Sequence, residues 1–281
     1  MRRSLIATSL SLGLTLFAAE AAAQRLPVPY VDRPLTLPEM TLRVSGDFPI
    51  YHAGIGGDDV GVGFSAGGGF GITDDFEVSA RLLPITFAPS PARFNDPVVG
   101  ATYRFLDNDT AQIGVGARIQ IPVDDGRFFI FNPRLPVQLK FGDIVRMDTG
   151  FNFSVGAPTG GGDAVVALAG PGQFGPFGFF PPSIDPGIPL KLSFQVADPA
   201  WVGFGSGLGV LFTDAFQNND DAAVFSPLGF HGGGTIAIDG EKMIDIRGNF
   251  EFPLFVSNIG NDSVHTDIWV INVGADFYLD L

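Results

Sequence analysis

Trp269-Val270-Ile271-Asn272-Val273-Gly274-Ala275-Asp276-Phe277-Tyr278-Leu279-Asp280-Leu281 is the stretch whose period decides the fold. Counted back from Leu281, every second residue through Leu279, Phe277, Ala275, Val273 and Ile271 to Trp269 is apolar. Asp280, Asp276, Gly274 and Asn272 fall between them, with Tyr278 amphipathic and Val270 the exception. A period of two means a strand with one apolar and one wet face. A soluble sheet and a membrane barrel both use such strands, so the rest of the chain must separate them.

The other end points to export. Arg2 and Arg3 precede an apolar stretch from Leu5 to Ala19, and Ala21-Ala22-Ala23 offers a small-residue cleavage site before Gln24. Residues 1–23 read as a signal peptide, 24–38 as a proline-rich periplasmic arm and 39–281 as one β-domain. The absence of cysteine removes a disulfide framework, so backbone ladders and packing must hold the fold. A net charge of −14 excludes nucleic acid as a partner. Apart from the leader, the only long apolar run is broken by glycine and proline, which excludes helical membrane spans.

From Glu39 the alternation recurs in about twelve segments, an even number that returns the chain to the side from which it started. Val60, Val62, Phe64 and Ala66 alternate with Gly61, Gly63, Ser65 and Gly67; Val202, Phe204, Leu208 and Val210 alternate with another row of glycines. Thr73-Asp74-Asp75, Asp107-Asn108-Asp109, Gly142-Asp143, Asp198-Pro199-Ala200 and Asp239-Gly240-Glu241 read as tight turns. Longer segments lie between them, the largest from Ala157 to Pro186. Short periplasmic turns alternating with longer extracellular loops predict an all-β transmembrane antiparallel up-and-down barrel. A secreted β-sandwich is the rival architecture. Charged residues on one face of nearly every segment leave it no sheet face to stack.

Those charges are the candidate pore lining: Arg43, Arg81, Arg104, Arg118, Arg134, Arg146, Lys191 and Arg247, with Lys140 on the same phase. Asp47, Glu77, Asp148, Asp245, Glu251 and Asp276 share that face. Such a set either braces a filled lumen with ion pairs or sets the selectivity of an open one. Glycine rows thin the wall and leave room for neighbouring side chains or a folded-in segment. Phe174, Phe177, Phe179 and Phe180, in a loop that should not hang in water, either fold back into the barrel mouth as a lid or plug, or lie on neighbouring lipid or protein.

Sites of other kinds are weaker. Gly61-x-Gly63-x-x-Ala66 lies inside a strand with no helix after it, so it is no dinucleotide site. His52 near Asp58 and Asp59, and His265 near Asp262 and Asp267, allow an Asp/His rim site between the first and last hairpins. Gln217 to Asp221 reads as a solvated loop that could hold a hard cation through oxygen. No enzyme, cofactor or metal is expected.

The terminal alternation behind a leader resembles the closing strand of Gram-negative outer-membrane β-barrels, a pattern that family uses for membrane assembly. Gly71-Ile72-Thr73-Asp74-Asp75-Phe76-Glu77-Val78 further resembles the early hairpin of the phenol-degradation (meta-pathway) type outer-membrane transporters. The resemblance implies a passive channel or transporter for small solutes, hydrophobic or aromatic ones among them. Its partners would be outer-membrane lipid, the solute, and the assembly machinery through the terminal strand. A structural or adhesive barrel with a blocked lumen and a rim-site hydrolase are the alternatives.

Overall fold

The computed structural model describes residues 26–27, 29–52, 60–88, 92–123, 128–160, 165–168, 186–212, 223–238, 242–258 and 264–281. Its strand segments form twelve staves of one closed antiparallel barrel. They are β1 Thr41–His52, β2 Val60–Thr73, β3 Phe76–Arg81 with Ile85–Ala88, and β4 Arg93–Phe94 with Val98–Asp107. Next come β5 Ala111–Gln120, β6 Phe128–Phe141, β7 Val145–Asn152 with Ser154–Pro158, and β8 Val165–Leu168 with Ile188–Ala197. β9 Ala200–Phe212, β10 Ala223–Ala237, β11 Lys242–Ser257 and β12 Trp269–Asp280 complete the wall. Each stave pairs with its neighbours in sequence. β1 also pairs with β12, from Thr41 opposite Asp280 to His52 opposite Trp269. Closure leaves no edge, so every stave has a partner on both sides.

The period-two pattern sorts side chains as expected. Val44, Phe48, Val202, Ile246 and Val273 stand outside and are about half exposed, forming an apolar belt. Inside, bulk is fitted by a recurrent pairing of ring and glycine. Tyr51 pairs with Gly61, Phe225 with Gly209, Trp201 with Gly233 and His231 with Gly203. In each pair the ring lies over the glycine, where a β-carbon would collide with it.

All described short connections sit at one end of the barrel. Gly142 makes its turn with φ +64, a conformation glycine adopts without strain. Asn108 folds its own turn, its Oδ1 accepting from the amides of Thr110 at 3.0 Å and Ala111 at 2.9 Å. The connection over residues 239–241 lies outside the described residues.

β8 departs from expectation. Val165–Leu168, read from the sequence as part of a long loop, is wall. Leu168 pairs with Val210 of β9 and Ile188 pairs with Leu208, so two pieces of chain fill one lane. A four-residue apolar run shows no period of its own, and the rest of its stave lies beyond residue 186.

The arm departs too. The sequence reading sends residues 24–38 out as a periplasmic lead-in, whereas the structure folds residues 29–38 into the lumen at the short-turn end. Prolines keep this segment from joining the sheet, so its backbone groups need other partners. The lumen supplies them. The amides of Val31, Leu35 and Leu37 donate to Gln195 Oε1, Gln112 Oε1 and Glu77 Oε2, at 3.3, 2.6 and 3.1 Å. The Arg33 carbonyl accepts from Gln138 Nε2 at 2.8 Å.

Candidate functional site

The lumen has a charged wall and an aromatic floor. On the wall, Arg43 pairs with Glu77 at 3.0 Å, Arg146 with Asp148 at 2.7 Å, and Arg104 with Asp75 and Asp107 at 2.9 and 3.0 Å. Arg247 of β11 bridges Asp47 of β1 and Asp276 of β12, each at 2.7 Å, tying three staves across the closure. Arg134 donates to Thr102 Oγ1. Arg81 and Arg118 line a cavity together with Arg43, Asp245 and Arg247, and Glu251 lines another with Lys191. Of the candidate pore-lining residues, Arg43, Arg81, Arg118, Lys191, Asp245, Arg247 and Glu251 border these two cavities.

The floor is the arm. Tyr30 and Arg146 meet by cation–π contact at 4.9 Å, and Lys191 Nζ donates to the Tyr30 hydroxyl at 3.1 Å. Tyr30 stacks on Trp201 with ring centroids 4.7 Å apart and planes 10° from parallel. Lys140 reaches Asp32 at 2.7 Å. Burial raises the Tyr30 phenol pKa, but the Lys191 and Arg146 cations outweigh that and leave it below its ordinary value.

Arg33 is the central contact. Its NH1 donates to Asp245 Oδ2, and its NH2 to Asp245 Oδ1 at 2.8 Å and Thr235 Oγ1 at 2.7 Å. Its guanidinium carbon lies 5.7 Å from the Tyr30 and Trp201 ring centres and 5.5 Å from that of Tyr278. Burial works against the Arg33 charge; the hydrogen-bonded Asp245 carboxylate prevails and raises the pKa above the ordinary arginine value. Arg33 is thus a permanent cation paired with a buried anion.

Two cavities lie beside the floor. One of about 350 Å³, on the β8 to β12 side, has Leu190, Pro189, Pro227, Trp201, His231 and Glu251 in its wall. The other, about 430 Å³, is bounded by Ser45, Asp47, Ser79, Arg81, Arg118 and Asp276. Tyr30, Lys191, Trp201 and Arg247 border both.

The other candidates fare differently. Phe174, Phe177, Phe179 and Phe180 lie outside the described residues, as do Gln217 to Asp221 and Asp58, Asp59 and Asp262. Barrel closure does bring the first and last hairpins together. There His52 Nδ1 contacts the backbone carbonyl of Asp267 rather than its carboxylate, and His265 donates its amide to Phe255 O at 3.0 Å. Ser193 Oγ lies 3.0 Å from His231 Nε2, but Ser193 is fully buried. Among the described residues no cluster of metal-ligating side chains occurs.

Sequence reasoning missed Tyr30, Arg33, Trp201 and Tyr278. Two signals were available. Trp201 and Tyr278 sit on the interior phase of their strands, where small or charged residues otherwise stand. Arg33 is a charge set among prolines, in a segment that has no ladder to join.

No family model matches the chain, and no curated protein matches it in sequence. Solved structures do resemble it. An outer membrane channel from Pseudomonas putida F1 aligns with a TM-score of 0.54 at 10% identity, over 87% of this chain and 96% of that one. The KdgM porin aligns with 0.48 at 9% identity, over 84% and 98% of the two chains. The NanC porin gives 0.47 at 9% identity, over 85% and 100%. At such identities the first of these bears on the fold alone. The closed twelve-stranded antiparallel wall, with its apolar belt and charged interior, has the same fold as that outer membrane channel.

Proposed function

We propose that the protein is an outer-membrane channel for passive passage of small solutes, with its short-turn end in the periplasm and its arm as an internal stopper. The observation that carries this reading is a charged, cavity-bearing interior inside a closed wall with an apolar outer belt. A barrel that served only as an anchor would have no use for unfilled space among so many ionised side chains. The solutes include aromatic or hydrophobic ones. Pro189 and Pro227 border the smaller cavity beside Trp201 and Tyr30, and offer a ring a surface that the larger, more polar cavity lacks. The chain acts without catalysis.

The arm favours one rival, a structural barrel with a blocked lumen. Planar-bilayer recordings separate the two readings. The channel reading expects small or intermittent conductance from the full chain and a several-fold increase on deleting residues 29–38. Silence from both proteins, each shown to be folded, would establish the blocked barrel instead.

A further inference from the structure

Arg33 belongs to the arm, but the groups that hold it belong mostly to the wall. Asp245 of β11 takes its two terminal nitrogens, Thr235 of β10 takes one of them again, and Trp201 of β9 and Tyr278 of β12 present their rings to the guanidinium carbon. These residues lie on four successive staves and are all buried. Thr235 Oγ1 also donates to Asp245 Oδ1 at 2.8 Å, which fixes the carboxylate in the wall independently of the arm. A forked carboxylate matches a planar, two-toothed donor, and ring faces favour a delocalised, weakly hydrated cation over a compact ammonium. Every one of these features describes a receptor for a guanidinium group.

We propose that Asp245, Thr235, Trp201 and Tyr278 form a binding site in the barrel wall for guanidinium-type organic cations, with Arg33 as its built-in occupant. Arg33 and a free guanidinium solute exclude each other from the site. While tethered, Arg33 competes at an effective concentration of about millimolar. The site therefore becomes available to a solute when the arm withdraws, and a bound solute in turn keeps the arm from returning. The binding step does not depend on the channel reading, because it can be measured without a membrane.

The chain contains two tryptophans, Trp201 and Trp269, so a Trp269→Phe background leaves Trp201 as the single reporter. In detergent, the full chain carrying Arg33→Ala is titrated with ethylguanidinium chloride. Ethylammonium chloride and sodium chloride at matched ionic strength serve as comparisons. The expected result is a saturable change in Trp201 emission with ethylguanidinium, absent while Arg33 is present. Adding Asp245→Asn should weaken it about tenfold or more, since the charge-assisted bonds are lost. Arg33→Gln serves in the same role should Arg33→Ala fail to fold, folding being judged by heat-modifiable migration. No saturable response in a folded Arg33 variant would overturn the proposal. So would an equal response to ethylammonium, or a response indifferent to Asp245→Asn.

Discussion

Gly233 has room for hydrogen and nothing larger. A β-carbon there would come 2.6 Å from the Ile246 carbonyl oxygen and collide with the Trp201 indole. At Gly46 the nearest atom to such a carbon is Phe64 Cε2, at 3.9 Å. Gly233→Ala should therefore cost about 1–3 kcal/mol through overpacking, while Gly46→Ala should be close to neutral or slightly stabilising. Denaturant unfolding of the detergent-folded barrel measures both, and equal costs would contradict the ring-over-glycine account. The first variant should also shift Trp201 emission, because the ring must move. The sequence showed the glycine rows and that they leave space, but not what fills it. Which ring lies over which glycine depends on the register between staves, and register appears only once the turns are built. The arginines and acids on the interior phase were legible residue by residue, since alternation alone assigns their face. Arg33 was not, because a segment with no period carries no face.

β12 shows how much one element can announce of itself. Its alternation predicted an outward apolar row. In the barrel Phe277 is half-buried on that outer side and Leu281 is exposed just beyond the strand. Replacing both, as Phe277→Asp with Leu281→Asp, should block assembly into the outer membrane. The cost of charge at mid-bilayer depth is about 2–4 kcal/mol for Arg or Lys and less for Asp, falling toward the interface. Both positions lie near the short-turn rim, so the loss of the terminal apolar pattern should dominate. Normal amounts of folded double mutant in outer-membrane fractions would refute this. β8 is the opposite case. Its lower piece, Ile188–Ala197, alternates visibly, but Val165–Leu168 is too short to do so and is separated from it in the chain. An element assembled from two pieces cannot be read by a window that slides along one.

At the scale of the molecule, the expected product is a leaderless, heat-modifiable, detergent-extracted barrel beginning at Gln24. Amino-terminal sequencing that starts at Met1, or recovery in a soluble periplasmic fraction, would contradict it. The barrel architecture was legible because a closed sheet repeats one pattern on every stave. The place of the arm was not, because it is positioned by the wall and not by anything near it in sequence.

That dependence sets an order in time. The arm precedes every stave in the chain, yet its contacts are spread over Glu77, Gln112, Gln138, Lys191, Thr235, Asp245 and Tyr278, from β3 around to β12. No unfinished sheet brings those groups around one axis. The arm's full set of contacts therefore waits for the staves from β3 to β12 to be in place. A stave slipped by one residue would turn its whole interior set outward, and the arm would lose partners there. Complete docking of the arm is then a late event of folding, and it needs a wall whose register is right from β3 around to β12.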